Sequence, residues 1–209
     1  MLHPLPRLQR RGHLSILSSC SLEGMTLPPL RLLLLFGIGA FVSPFGDHGH
    51  VASGTTQYFP SSSPFIWDGP FWFPILVGLA TAANAELRLH LPSPRANLTA
   101  ADGVAGVAAV MGLYALTALV RHQPLVPSTL LVVALAVLAW HRFGDRPALI
   151  CGFATAVGGV AVEAGLVAAG VFRYADDIDV LFGVAPWLPA LYFVFGVVSA
   201  QLGEIAAKP

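Results

Sequence analysis

The stretch PALICGFATAVGGVAVEAGLVAAGVF, Pro147 to Phe172, is apolar and rich in small residues, and its one acidic residue is Glu163. A hydrocarbon core about 30 Å thick requires about 20 apolar residues in a helix, so the stretch predicts a membrane span. Lipid offers no partner for a free backbone amide, and the span must therefore be helical. The role of one carboxylic acid in such a helix is the main question that the sequence raises.

The composition extends this prediction to the whole chain. Of 209 residues, 56% are hydrophobic and 11% are charged, against about 25% charged residues in typical soluble domains. Six segments are long and apolar enough to predict an all-α bundle of six transmembrane helices over residues 27–206: Leu27 to Phe45, Trp67 to Ala85, Leu98 to Val120, Leu125 to Trp140, Pro147 to Phe172 and Gly183 to Ile205.

The distribution of basic residues predicts the orientation of the chain. With six spans, Arg121 and Arg173 fall on one side and the other basic residues fall on the opposite side: Arg7, Arg10, Arg11, Arg31, Arg88, Arg95, Arg142, Arg146 and Lys208. The positive-inside rule then places both termini in the cytoplasm. Five spans, with the short fourth merged into its neighbour, would break this asymmetry. The net charge of zero argues against a nucleic-acid partner.

Residues 1–26 are polar and basic, and we expect a disordered cytoplasmic tail. The motif RLQRR followed by LLLLFGIGAF has the charged and apolar parts of a signal peptide. However, no clear small-x-small cleavage site follows, and five further spans do. Cys20 lies in the tail and Cys151 in a span, so the sequence predicts neither a disulfide framework nor a thiolate metal site.

The first connection, Gly46 to Phe65, is predicted to be a long loop. It begins with Asp47, His48, Gly49 and His50, which resemble part of a metal site. A metal site needs three or four ligands, so we interpret this motif as a polar loop end. No phosphate-binding loop, nucleophile elbow or HExxH motif is present. The sequence therefore predicts no metal, no cofactor and no catalytic set.

Three roles are open for Glu163: an acid hydrogen-bonded to a neighbouring helix, a polar anchor for a ligand, and a proton-relay or catalytic acid. No residue of the other spans is an obvious partner for it. Proton pathways usually show several ionisable groups in line, whereas Glu86, Asp102 and Glu204 lie near span ends. Two spans that begin with aromatic residues and proline favour a cavity in the same half of the bundle as Glu163.

Two motifs carry a resemblance to a known family. The second span opens with two aromatic residues, an apolar residue, proline and, four residues later, glycine: Phe71, Trp72, Phe73, Pro74 and Gly78. Near the end of the chain stand a Gly-Val-aromatic-x-Tyr run and a Trp-Leu-Pro block followed by an aromatic pair: Gly170, Val171, Phe172, Tyr174, Trp187, Leu188, Pro189, Tyr192 and Phe193. In these residues, and in the number of spans, the chain resembles the Insig (insulin-induced gene) family over about residues 27–206.

The resemblance implies a six-helix bundle that holds a lipid in a central cavity. Insig proteins are sterol sensors that bind oxysterols and then retain Scap and engage HMG-CoA reductase. Val120 and Arg121 stand where the resemblance leads us to expect an acid tied to partner binding, so we do not expect a Scap-type partner. The family instead implies a membrane lipid as ligand, and small-residue faces make a homo-oligomer plausible.

We therefore expect a non-catalytic lipid-binding membrane protein for sterol sensing, not an enzyme. Its ligand would be a hydroxylated lipid, either a sterol or a diacylglycerol-like molecule, with the hydroxyl near Glu163. The expected ligand-binding residues are Glu163, Gly159, Phe73, Pro74, Val77, Trp187, Leu191 and Phe195. The alternative is a small membrane transporter or enzyme that uses Glu163 as a proton or acid/base group. The membrane would be the endoplasmic reticulum in a eukaryote or the plasma membrane in a bacterium.

Overall fold

A computed structural model of the chain describes residues 26–62 and 65–208. The predicted tail falls outside them except for Thr26. Six helices follow one another along the chain: α1 (Pro29–Ala52), α2 (Trp72–Leu89), α3 (Ala100–Leu119), α4 (Leu125–Phe143), α5 (Ala148–Ala168) and α6 (Leu188–Ala206). The predicted helical architecture is confirmed, and most helix ends lie within a few residues of the predicted ones.

Helix α6 is the centre of the bundle, because it packs against all five other helices. Two of its glycines allow the closest approaches. A Cβ atom at Gly203 would lie 2.5 Å from the Ala85 carbonyl oxygen, and one at Gly196 would lie 2.5 Å from the Cys151 carbonyl oxygen. Helices in lipid associate by such close backbone contact across small residues. The small-residue pattern of the sequence therefore places α6 against α2 and α5.

Five of the six helices are long and apolar enough to cross a membrane, and α2 is outside this set. Its 18 residues include Asn84, Glu86 and Arg88, which lower its mean hydropathy. The prediction of six spans is therefore supported for five helices only. The outward faces of the bundle carry large exposed apolar side chains, as lipid contact requires, among them Leu34, Phe41, Leu138, Phe153 and Val157.

Short strands supplement the helices at one end of the bundle, which we call the strand end. Strand β1 (Thr56–Tyr58) pairs antiparallel with β4 (Phe172–Tyr174), and β2 (Phe65–Ile66) pairs with β3 (Gly69–Pro70). A 3-10 turn, Pro60–Ser62, lies between β1 and β2. The all-α prediction omitted these strands because each has only two or three residues, too few for a periodic pattern. The β1–β4 ladder joins the connection after α1 to the connection after α5.

The predicted connection from Gly46 to Phe65 begins too early, and the prediction is wrong for its first seven residues. Helix α1 continues to Ala52, so the Asp47 to His50 motif lies in its last turns. The side chains of Asp47 and His50 are buried, and both make hydrogen bonds inside the bundle. Gly46 and Gly49 disfavour a helix in these residues, but tertiary contacts outweigh such local preferences.

Buried ion pairs fasten the opposite end of the bundle. The Arg88 and Glu204 side chains are both 0% exposed and lie 2.7 Å apart (Nη2 to Oε1). Arg88 also contacts Asp145 at 2.6 Å, and Arg95 contacts Glu204 at 2.6 Å. The Arg88 guanidinium also donates to three loop carbonyls, those of Leu91, Pro92 and Ser93.

Candidate functional site

A cavity of about 300 Å³ lies inside the bundle towards the strand end. Helices α1, α2, α3, α5 and α6 and strands β1 and β4 line it, and α4 contributes no lining residue. Most lining side chains are aliphatic or aromatic, including Ile38, Val42, Leu76, Val110, Met111 and Leu166. Residues with polar side chains are the minority of the lining, an arrangement that is typical of sites for small apolar molecules.

Glu163 lies on the cavity wall and has two hydrogen-bond donors. The Tyr174 hydroxyl donates to its Oε2 at 2.5 Å, and the Tyr192 hydroxyl donates to its Oε1. These partners could not be predicted from residue spacing, since Tyr174 comes from strand β4 and Tyr192 from α6. They satisfy a carboxyl that would otherwise be costly in an apolar bundle.

Gly159, one turn before Glu163 on α5, makes this arrangement possible. A Cβ atom at this position would lie 2.7 Å from the Tyr192 ring, so the glycine leaves the space that the ring occupies. The ring can then cross the face of α5 and reach the carboxyl one turn further on. Gly159 therefore makes room for the Tyr192 ring, and Glu163, four residues later on the same helix face, accepts the hydrogen bond from its hydroxyl.

A second acid, Asp47, lines the same cavity from α1. The Tyr58 hydroxyl donates to its Oδ1 at 3.0 Å, and its Oδ2 has no hydrogen-bond partner among the residues that the structure describes. One turn later, His50 Nε2 lies 2.8 Å from Thr117 Oγ1. The Thr117 hydroxyl donates to the Tyr114 carbonyl, so it accepts the proton of His50 Nε2. Asp47 and His50 both line the cavity, and the sequence did not predict this for either of them.

All four tyrosines of the chain line the cavity: Tyr58, Tyr114, Tyr174 and Tyr192. The strand residues Tyr58 and Tyr174 belong to the connections outside the helices. Burial raises the pKa of both phenols, and the carboxyl that each hydroxyl contacts, Asp47 for Tyr58 and Glu163 for Tyr174, raises it further. Their hydroxyls therefore keep their protons at neutral pH and act as donors to the acids.

The two strands that carry these tyrosines are held in place by an ion pair. Arg121, after α3, contacts Asp177 with both terminal nitrogens, at 2.8 and 2.6 Å, and its Nε donates to the Gly54 carbonyl. The guanidinium lowers the pKa of the Asp177 carboxyl. Through Arg121, Asp177 thus links the connection after α5 to the end of α3 and to the connection after α1.

Six of the eight predicted site residues line the cavity: Gly159, Glu163, Phe73, Val77, Leu191 and Phe195. Pro74 and Trp187 are not among the lining residues, and Trp187 is buried in the core instead.

Deeper in the cavity, the Thr155 hydroxyl donates to Asn84 Oδ1 at 2.9 Å, a pair that the sequence did not predict. Within residues 26–62 and 65–208, no group of three or more His, Cys, Asp or Glu could hold a metal ion.

No family model matches the chain, but individual proteins do. An INSIG protein homolog of Mycolicibacterium vanbaalenii is 56% identical over 182 residues, which cover 87% of this chain and 89% of that protein. The insulin-induced gene 2 protein of Gallus gallus is 28% identical over 197 residues, 90% of this chain and 85% of that protein.

Solved structures of a mycobacterial relative have the same fold. The crystal structure of the Insig homolog MvINS from Mycobacterium vanbaalenii superposes with a TM-score of 0.85 at 55% identity, over 87% of this chain and 96% of that chain. A cross-linked MvINS trimer also superposes with a TM-score of 0.85, at 54% identity and the same coverage. Sequence identity and fold agree over most of both chains, and the protein is therefore an integral, multi-pass membrane protein that belongs to the Insig family.

Proposed function

We propose that the protein is a non-catalytic lipid-binding protein, which holds a hydroxylated lipid of the sterol or diacylglycerol type in its cavity. The observation that carries this proposal is the arrangement of the cavity wall. Both acids of the wall, Glu163 and Asp47, accept hydrogen bonds from tyrosine hydroxyls, and aliphatic and aromatic side chains form most of the wall. A lipid with an apolar body and a small polar headgroup matches this distribution.

Glu163 and its tyrosines would anchor the lipid hydroxyl. Each carboxylate oxygen has two lone pairs, so the bonds from Tyr174 and Tyr192 leave each oxygen able to accept one further hydrogen bond. The tyrosines hold the carboxyl in one orientation, and a bound hydroxyl would therefore meet a fixed acceptor. The apolar part of the lipid would lie against Phe73, Val77, Leu191 and Phe195. Pro74 and Trp187 do not line the cavity, and we leave them out of the proposed contacts.

We also propose that the protein forms a homo-oligomer, with both termini on the cytoplasmic side. The mycobacterial relative was captured as a cross-linked trimer, which supports self-association of this chain. The proposed orientation rests on the positive-inside rule. It puts the buried ion pairs of Arg88 and Glu204 on the cytoplasmic side and the strand end on the other. Residues 27–206 would form one membrane domain.

Mass spectrometry of co-purified lipid tests the lipid site. The protein is purified in mild detergent and extracted with organic solvent, beside the variants Glu163→Leu and Asp176→Leu. We expect one dominant hydroxylated lipid at near-stoichiometric amount, reduced in Glu163→Leu and unchanged in Asp176→Leu, which replaces an exposed acid outside the cavity. The same spread of bulk membrane lipids in all three samples would refute the proposal and make a transport or enzymatic assay the next step.

A further inference from the structure

Two tight turns at the strand end have the same unusual construction. A two-residue turn joins strands β2 and β3, and a second one joins Leu181 to Val184, which exchange two backbone hydrogen bonds. In each turn the first central residue is aromatic and has a positive φ, 55° at Trp67 and 54° at Phe182. Such turns usually place glycine, asparagine or aspartate there, because a bulky side chain is strained in this conformation. Backbone strain is concentrated at functional sites, so both turns need an explanation.

The two aromatic side chains do not fill the core of the bundle. Trp67 is 61% exposed and Phe182 is 81% exposed. Each is accompanied by an exposed aliphatic side chain, Ile66 in the first turn and Val180 beside the second. In water, a strained turn that also exposes apolar surface would have no compensating gain. The compensation must therefore come from an apolar partner outside the chain.

The first turn continues the lipid-facing side of helix α1. Large exposed apolar side chains follow one face of this helix at Leu30, Leu34, Phe41 and Phe45. The ring centroids of Phe41 and Phe45 lie 5.6 Å apart, and those of Phe45 and Trp67 lie 5.2 Å apart. Trp67 thus extends the apolar surface of a helix that is long and apolar enough to cross the membrane.

The position of this contact along α1 gives the depth of the turn. At a rise of 1.5 Å per residue, Phe45 lies about 24 Å from the first residue of the helix. This distance is shorter than the hydrocarbon thickness of about 30 Å. Trp67 therefore lies at the boundary of the apolar layer, where tryptophan is enriched in membrane proteins. His48 and Asp68 pair at 2.6 Å about one helical turn further on, at the level expected for the headgroups.

The second turn reaches a similar level on helix α5. A Cβ atom at Gly183 would lie 3.1 Å from Val167 Cγ1, so this turn packs against the last turn of α5. Val167 lies about 29 Å from the first residue of that helix, which is again close to the hydrocarbon thickness. Two turns on different helices therefore present exposed aromatic tips near the same boundary.

We propose that these two turns are membrane anchors, which insert Trp67 and Phe182 into the lipid leaflet at the strand end. Their partner is the bilayer itself, at the boundary between headgroups and acyl chains, where aromatic rings are favoured. Lipid contact offsets the strain of both turns and covers their aliphatic neighbours. Because one turn leads into α2 and the other into α6, the anchors hold the strand end at a fixed depth in the membrane.

Fluorescence quenching in liposomes tests the proposal. The full-length protein and Trp67→Phe are reconstituted in phosphatidylcholine that carries bromine atoms either near the headgroup or near the chain end. The difference between the two proteins is the Trp67 signal. We expect bromine near the headgroup to quench it most strongly and acrylamide in the water to quench it weakly. Phe182→Trp adds a tryptophan to the other turn, and the added signal should behave in the same way.

Asp176→Trp is the matched control, because Asp176 is an exposed residue of the acidic turn at the same end of the bundle. Its added signal should be quenched by acrylamide and little affected by brominated lipid. Signals from Trp67 and Phe182→Trp that follow acrylamide, as the control does, would overturn the proposal. Equal quenching of all three signals by brominated lipid would overturn it as well. If thermal unfolding shows that Trp67→Phe does not fold, Phe182→Trp and Asp176→Trp decide the question.

Discussion

Replacing Tyr192 with phenylalanine tests whether the tyrosines stabilise Glu163 inside the bundle. The change removes the hydroxyl that donates to Glu163 Oε1 and keeps the ring that fills the space beside Gly159. Hydrogen bonds to charged groups contribute about 1.5–3 kcal/mol in soluble proteins, and those between membrane helices average about 0.6 kcal/mol with a maximum near 1.7. Because Tyr174 still donates to Glu163, we expect a loss of about 1–2 kcal/mol.

The assay is reversible unfolding of delipidated protein in detergent, arranged as a double-mutant cycle with Glu163→Leu. If the hydroxyl acts through the carboxyl, the two substitutions should couple by about 1 kcal/mol. Tyr114→Phe is the matched control. Tyr114 lines the same cavity, but its hydroxyl makes no hydrogen bond to the residues that the structure describes. A Tyr192→Phe variant as stable as Tyr114→Phe, with no coupling to Glu163, would refute the reasoning.

Two further predictions concern the packing of the bundle and are checked by the same unfolding assay. Gly203→Ala should be about 1–3 kcal/mol less stable than Gly112→Ala. The new Cβ atom at position 203 would meet the Ala85 backbone, whereas position 112 has open space. Equal stabilities of the two variants would contradict the close contact. Arg88→Leu should cost about 3–5 kcal/mol because it removes a partner of the fully buried Glu204, and adding Glu204→Leu should recover part of that loss. If Arg88→Leu is as stable as the unmodified protein, the Arg88–Glu204 ion pair does not stabilise the bundle.

The sequence was sufficient to predict the helices, because a membrane-spanning helix needs a long apolar segment and such segments are visible in the sequence. Lipid requires long apolar segments, and α3, α4 and α5 begin and end close to the predicted residues. The family resemblance, based on the proline-aromatic motifs, is confirmed by the relatives. Helix α2 was predicted as a membrane span but is not apolar enough to count as one, because Glu86 and Arg88 give it a composition intermediate between a span and a soluble helix.

The polar contacts of the site could not be predicted, because they join residues far apart in sequence. Tyr58 reaches Asp47 from a strand, and Thr155 reaches Asn84 from another helix. Such pairs depend on how helices are rotated against each other, which hydropathy leaves undetermined. Glu163 was identified because an acid in an apolar helix is conspicuous by itself. Asp47 was not, because it stands beside glycine and histidine in a segment with the composition of a loop.

The concentration of every tyrosine at the cavity gives this protein an internal spectroscopic reporter. Isotope-labelled tyrosine would produce one set of ring signals from each of the four tyrosines in an NMR spectrum, and all four sets would come from the cavity wall. Tyr58 and Tyr174 would report on the strands, Tyr192 on helix α6 and Tyr114 on helix α3. Binding, the protonation of the two acids and movement of the strands could thus be followed separately, without introducing a dye or a cysteine into the bundle.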